Sequence, residues 1–492
     1  MSTVIEQPAA SPTDAPSADE VARAAVDRAR EAQRAWGALS HRERARKLRA
    51  LRGVVVRRLD EIVDVIRAET GKPAIEALGH EVTIIAGLIR TYEKRAARVL
   101  RSRSVGSGIM INKGGRKFHE PYGVVAVISP WNFPFSMPGI PTVGALFAGN
   151  AVVIKPSEVT PRSGAILRDL VREAIPDHPE IVQVLEGAGD VGAALIRAGV
   201  DKIAFIGSPH TGRRVMAAAA EKLTPVVMEL GANDVAIVCE DADLERAAAG
   251  VVWGAMSNAG QVCMSTERAL VPDRIYDRFA AAVEAEMRKL RVPTTEGADF
   301  DVGRLIFEPQ RDVIQRTVDD ARARGARIVV GGAVSSEDGP VWAPTLIVDA
   351  TPEMALNTGE TFGPVLPLVR VRDEEDAIRL ANAGRFGLNA SVWTRDGRRG
   401  RRIAARLSAG MVMINDVLMN FAIPELPYGG VKESGFGRMM GDEGLLEFSV
   451  VKAVATTRVA MKRELFWFPY RPQQYQLLRR MTKAAFGLKF GR

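Results

Sequence analysis

Cys263 stands in the stretch "SNAGQVCMSTER", behind Asn258 and Gly260, where the backbone is expected to bend tightly. A thiolate there would be a nucleophile; an unpaired cysteine is more often a small buried hydrophobe. Asn132 lies in "PWNFP", held between Trp131, Phe133 and two prolines. Its amide could aim a donor at a developing oxyanion, or cap a proline-rich turn. Glu229 ends the apolar run "PVVMELG" and suits a general base, or equally a helix cap or ion-pair partner. "KPSE" sets Lys155 and Glu158 after another apolar run, suited to the ribose hydroxyls of a nucleotide or to a surface ion pair. "FIGSPHTG" sets Gly207, Ser208 and Gly212 where a helix N-terminus can approach a phosphate, although this is not the G-x-G-x-x-G fingerprint.

These residues are far apart in the chain, so a scaffold must bring them together. Ser17 with Glu20, and Ser40 with Glu43, form S-x-x-E capping boxes, and residues 18–100 are expected to be mostly helical. "SVGSGIMINKGGRKFHEP" reads as a protruding hairpin. Then "GVVAVIS", "AVVIKPSE", "IVQVLEG", "KIAFIGS" and "PVVMELG" alternate with helix-like segments. Near-continuous apolar strands between helices mean a parallel sheet covered on both faces. A second set follows: "DVAIV", "RALVP", "ARIVVGG", "APTLIVDA", "LPLVRV" and "NASVWT". The fold class is therefore α/β, with two doubly wound parallel-sheet domains joined near Leu230 and a small third β element. Ligands of open parallel sheets bind beyond the carboxyl ends of the strands, where Asn132, Lys155, Ser208 and Glu229 fall.

With 492 residues, 47% hydrophobic and 26% charged, the chain has the size and balance of a globular protein of two or three domains. Two cysteines make no disulfide framework, which points to the reducing cytoplasm; Cys239, ending "DVAIVC", reads as buried packing. The five histidines are scattered at no metal-ligand spacing, so no metal is expected. No apolar run is long enough to span a membrane, and the start lacks the marks of a signal peptide. The net charge of +8 is concentrated after Lys462, where Arg463, Arg471, Arg479, Arg480, Lys483, Lys489 and Arg492 face one acid, Glu464. That is a special tail on a nearly balanced body, and no nucleic-acid module accompanies it.

Together the motifs resemble the NAD(P)-dependent aldehyde dehydrogenase superfamily. The ordered set is "PWNFP", "GNAVVIKPSE", "FIGS", "ELG", "NAGQVC", "GETFGPV", "GLNASVWT", "IND", "PYGGVKESGFGR" and "VVK", spanning roughly Ala18 to Thr457. The resemblance implies Cys263 as nucleophile and Glu229 as general base. It implies an oxyanion hole made of the Asn132 amide and the Cys263 N–H. It implies a cofactor set of Trp131, Lys155, Ser157, Glu158, Gly207, Ser208, Glu360 and Phe362, and an aldehyde tunnel of Phe133, Met137, Ile140 and Tyr428. It also implies a Rossmann-like NAD-binding domain (18–102 and 122–230) and a catalytic domain (231–446). An oligomerisation element (103–121 and 447–458) implies a homodimer or homotetramer. A disordered lead-in (1–17) and a basic aromatic tail (459–492) flank them.

Glu158 favours NAD, since a carboxylate accepts both ribose hydroxyls and repels a 2′-phosphate, while Lys155 leaves NADP possible. The apolar tunnel residues suggest a medium- or long-chain aliphatic or aromatic aldehyde; a succinic-semialdehyde or CoA-acylating enzyme and a non-catalytic binding relative are the alternatives. Glu229 favours hydrolysis over transfer to CoA. The chain departs from the family in "ELGAND" for the common "ELGGK" (Ala232, Asn233), in "PYGG" for "PFGG" (Tyr428), and in "FIGSPHTG" for "FTGSTEVG". In the tail, Leu477, Leu478, Met481, Ala484, Ala485 and Leu488 share one side of an expected helix opposite Arg479, Arg480 and Lys483, just after "LFWFPY". Such a helix suits peripheral contact with an anionic membrane, or docking on the protein itself.

Overall fold

The computed structural model describes residues 16–293, 300–334 and 341–487. Residues 1–15 of the expected lead-in, and Leu488 with the rest of the tail's end, lie outside the described residues. Both capping boxes form. They start the helices Ala18–Ala38 and His41–Arg57 by exchanging hydrogen bonds between Ser17 and Glu20 and between Ser40 and Glu43. The helices Leu59–Thr70 and Ala74–Ala77 follow, and a π-helical turn at Leu78–Val82 leads into Thr83–Val99.

β1 (Arg103–Val105) and β2 (Lys113–Pro121) form the antiparallel hairpin, with Arg103 opposite Lys117. β3 (Val124–Ile128), β4 (Ala151–Lys155), β5 (Val182–Val184), β6 (Lys202–Ile206) and β7 (Val226–Glu229) form a parallel sheet in the order β5-β4-β3-β6-β7. The chain winds outward from β3 in both directions, so β3 and β6 flank a topological switch point whose crevice opens at their carboxyl ends.

β8 (Asp234–Val238), β9 (Thr266–Pro272), β10 (Arg327–Val330), β11 (Thr345–Ala350), β12 (Val365–Val371), β13 (Asn389–Trp393) and β14 (Met411–Ile414) form the second sheet. Its order is β10-β11-β12-β9-β8-β13-β14, parallel throughout except for β10, which runs antiparallel to β11 at the edge. β7 ends at Glu229 and β8 begins at Asp234, so the carboxyl edge of the first sheet meets the amino edge of the second. One apolar cluster, including Trp36, Leu88, Phe147, Ala236 and Phe279, runs through both.

β15 (Gly435–Phe436) returns to the first sheet and pairs antiparallel with β7, Gly435 lying opposite Glu229. The segment expected as one unit, 231–446, therefore gives its last part to the first sheet. There it covers the β7 edge, which would otherwise expose unpaired backbone groups. β16 (Ser449–Thr457) pairs with β2 along its full length, from Ser449 opposite Pro121 to Thr457 opposite Lys113, and the three-stranded sheet has the order β1-β2-β16. No helix among the described residues is long and apolar enough to cross a membrane.

Candidate active site

The backbone before Cys263 takes three successive left-handed conformations, at Asn258 (φ 50°), Ala259 (φ 54°) and Gly260 (φ 70°). Two of these are not glycine, so the bend is strained and must be held by its surroundings. A side chain at Gly260 would put its Cβ 2.1 Å from the Gly363 carbonyl oxygen, which explains the glycine. Buried Glu76 accepts from Asn258 N–H (3.0 Å) and from Ser257 Oγ (3.0 Å). Buried Gln261 donates to the Asn258 carbonyl (2.8 Å) and accepts from Ile306 N–H (2.8 Å). This clamp delivers Cys263 half-buried at the amino edge of β9.

Three more elements converge on it. Asn132, after β3, donates through Nδ2 to the Gln261 carbonyl (2.9 Å), which fixes its amide beside the cysteine loop. Its backbone carbonyl accepts from Lys72 Nζ (2.8 Å) and Asn258 Nδ2 (3.2 Å). Lys72 and Glu81 form a fully buried ion pair (2.8 Å). Glu81 also accepts from Phe135 and Ser136 N–H (2.7 and 3.1 Å), capping the helix Ser136–Ala148 at its positive end. Glu229, at the end of β7, accepts through Oε1 from the Tyr428 hydroxyl (2.9 Å), and that hydroxyl lies 3.0 Å from Cys263 Sγ.

The buried carboxyls here are hard to ionise. Burial pushes Glu229 up to about 8, with the neighbouring Glu360 adding to the shift and the Tyr428 hydroxyl and Arg438 opposing it. Burial likewise raises Glu267 to about 8 and Glu360 to about 7, and Asp234 well above its ordinary value. Carboxyls this close in a poorly solvated site cannot all carry charge at once. The Cys263 thiol is raised by burial and by Glu229, with Tyr428 acting in the other direction.

Two cavities meet at Cys263 and Met137. One, of about 360 Å³, is lined by Trp131, Asn132, Gly207, Ser208 and Glu229, which follow or end β3, β6 and β7, and by Glu360 from the loop before β12. Phe362 lines it too, its ring edge-on to Trp131 at 5.5 Å. A Cβ at Gly231 would lie 2.4 Å from Glu360 Oε2, so that position must stay bare for Glu360 to approach. Ala232 N–H donates to Glu360 Oε1 (2.9 Å), and the Asn233 amide donates to the Leu356 and Gly359 carbonyls (3.0 and 2.7 Å). Asn233 thus ties the β7–β8 connection to the loop bearing Glu360, a use for it that its type alone did not reveal. Lys155, Ser157 and Glu158 lie outside this lining, at the end of the neighbouring β4, with Lys155 and Glu158 paired at 3.0 Å. Ser208 caps the helix Pro209–Ala220, accepting from Thr211 N–H.

The other cavity, of about 820 Å³, is walled largely by apolar side chains, among them Ile75, Phe133, Trp253, Leu418, Phe421 and Tyr428. The expected tunnel residue Ile140 is not in this wall. It sits one helical turn beyond Met137 and is fully buried in the core. His80 and the exposed Arg90 also line the cavity, and neither was singled out from the sequence. Nor were Lys72, Glu76 and Glu81.

The model of the aldehyde dehydrogenase family matches residues 6–454. The chain belongs to that family and is an NAD(P)-dependent aldehyde dehydrogenase. It is 41% identical over 456 residues to a 4,4'-diapolycopene aldehyde oxidase of Methylomonas, covering 92% of this chain and 84% of that one. It is 37% identical over 449 residues to a putative NADP(+) succinate-semialdehyde dehydrogenase of Mycolicibacterium smegmatis, covering 90% and 86%. Among solved structures, an NAD-dependent aldehyde dehydrogenase from Sinorhizobium meliloti superposes with TM-score 0.87 at 34% identity, over 92% of this chain and 89% of that one.

Proposed function

We propose that this enzyme oxidises medium- to long-chain apolar aldehydes to carboxylic acids through a thioester on Cys263. The observation that carries this is the apolar cavity of about 820 Å³ ending on the thiol. The diapolycopene aldehyde named for the 41% identical relative supports it. In this mechanism Cys263 Sγ adds to the aldehyde carbon, and the carbonyl oxygen becomes an alkoxide. Asn132 Nδ2 and the Cys263 N–H supply donors to it; one such donor is typically worth about 3–4 kcal/mol in the transition state. After oxidation, Glu229 takes a proton from water as it attacks the thioester carbon, and the acid leaves with the thiol restored. Glu229 Oε2 is buried with no hydrogen-bond partner, so it is available to that water.

The residues fit a dinucleotide. The crevice lies at a switch point, and the helix Pro209–Ala220 presents its N-terminus there behind Gly207 and Ser208. Lys155, Ser157 and Glu158 would hold the adenosine ribose, Ser208 the pyrophosphate, and Glu360, Phe362 and Trp131 the nicotinamide end. When bound, NAD(P) supplies the hydride acceptor for the carbon attached to Cys263. Glu158 favours NAD; an equal or higher kcat/KM with NADP would refute that preference.

Arg90 at the wall of the apolar cavity favours a second reading, a dicarboxylic semialdehyde held by its far carboxylate. A panel of hexanal, dodecanal, benzaldehyde and succinic semialdehyde separates the two. The first reading expects kcat/KM to rise with chain length; a value for succinic semialdehyde far above the rest overturns it.

The same proposal covers assembly and location. β16 leaves Val450, Val451 and Val454 exposed on the edge of the small sheet, which suits pairing in a cytoplasmic homodimer or homotetramer. In the tail, Phe466, Trp467, Phe468 and Tyr470 are exposed ahead of the helix Pro472–Phe486, which carries Arg479, Arg480 and Lys483. That combination suits peripheral contact with anionic lipid. Flotation with anionic liposomes should fall when the chain is truncated after Lys462, and equal flotation removes the idea.

A further inference from the structure

The hydroxyl of Tyr428 lies between the two groups that the reaction needs, 3.0 Å from Cys263 Sγ and 2.9 Å from Glu229 Oε1. A phenol carries one hydrogen. Here it is donated to Glu229, so the contact with sulfur must run the other way, from S–H to the phenol oxygen. Tyr428 cannot easily swing out of this line. It is fully buried, its ring meets Phe421 edge-on at 5.0 Å, and its carbonyl accepts from Met439 N–H (2.9 Å). The two oxygens of Glu229 are thereby distinguished: Oε1 faces the phenol, and Oε2 has no partner.

We propose that Tyr428 is a catalytic proton relay that activates Cys263 by passing its proton to Glu229 Oε1. As the S–C bond to the aldehyde forms, the S–H bond breaks and its proton goes to the phenol oxygen. The phenol's own proton moves to Glu229 Oε1, leaving Tyr428 neutral and Glu229 protonated. No redox change occurs in this step. Glu229 then loses this proton to solvent, the one proton that the overall oxidation releases, and the same carboxylate serves the second half through Oε2, which takes a proton from water. A phenylalanine in this place, as in the "PFGG" form of the motif, has no hydroxyl to do this. The inference rests on Cys263 being the nucleophile.

The test is alkylation of the intact enzyme by iodoacetamide, with the modified cysteine mapped by mass spectrometry. Wild type, Tyr428→Phe, Glu229→Gln and the double variant are compared at about pH 8.5, where the Glu229 carboxylate is populated. Each single variant is expected to slow Cys263 alkylation by roughly 100-fold, the low end of lost general-base help. The double variant should be slower than either by no more than about twofold, since both remove one pathway. Tyr428→Phe alkylated at the wild-type rate or faster overturns the relay, and so do effects that multiply. Modification of Cys239 instead of Cys263 in wild type would sink the nucleophile assignment itself. Phenylalanine keeps the aromatic body, and an unchanged Tm shows that a slowed rate is not misfolding.

Discussion

The cavity on the cofactor side gathers Glu229, Glu360 and Ser208 with bare glycine backbone, whereas the cavity on the substrate side is walled by Ile75, Phe133, Trp253, Leu418 and Phe421. Both open on Cys263. The polar side supplies groups that hold a charged ligand and move protons. The apolar side offers surface to an alkyl chain, while Glu229 lines the polar side, where its own burial pushes it up to about 8. The same desolvation would leave the thiol inert without a proton acceptor. Cys239 is the contrast: burial pushes its thiol up to about 12, and the side-chain hydrogen bond that opposes this comes from Thr394, a hydroxyl and not a base.

If Cys263 is the point where the two cavities cooperate, Cys263→Ala should reduce aldehyde-dependent reduction of NAD(P) to background, read as absorbance at the reduced-nicotinamide band. Turnover retained in that variant ends the mechanism. Asn132→Ala tests the polar side alone. It should lower kcat by about 10²- to 10³-fold with KM nearly unchanged, because the lost donor acts in the transition state. The pH profile tests the burial of Glu229 on the polar side. Only ionised Glu229 can take a proton from water, so hydrolysis-limited kcat should fall about tenfold per pH unit below about 8. Glu229→Gln should lose that limb along with most of the rate. The smallest effect belongs to the apolar side. Gly79 lines that cavity with open space around the position of a Cβ. Gly79→Leu should raise KM for dodecanal about tenfold, the low end of shape discrimination in an apolar pocket, and leave hexanal almost unaffected. Equal effects on both aldehydes would mean that the chain does not run past Gly79.

Much of this was legible in the sequence, for physical reasons that can be named. The strands buried on both faces, such as Val124–Ile128 and Asp234–Val238, stand out as apolar runs. β14, the short apolar run Met411–Ile414, is absent from the expected strands because four residues at an edge give little length to judge by, and β15 because it is two residues beginning with glycine. Cys263, Asn132 and Glu229 were visible as types in unusual settings. Their supports were not, since a charge on a helix is normally solvated. Glu81 nonetheless carried a signal: it shares the apolar stripe of Ala77, Ile84, Ile85 and Leu88, where an acid has to be buried and paired. Tyr428 was conspicuous as a departure, but its place between Cys263 and Glu229 depends on long-range packing that brings three distant segments together. Ile140 came to the tunnel through the family resemblance, and its place one helical turn beyond Met137 carries it into the core.

The central claim is that Cys263 carries the acyl group at the meeting point of the two cavities. The most direct measurement is intact-mass and peptide mapping of Glu229→Gln, quenched after mixing with NAD(P) and dodecanal. The variant keeps Cys263 and has lost the base that clears the thioester; because the relay also makes its acylation slow, the quench follows an incubation long enough for slowed acylation to finish. The account predicts one dodecanoyl group per chain, on the peptide containing Cys263. No adduct, or an adduct on Cys239, would contradict it.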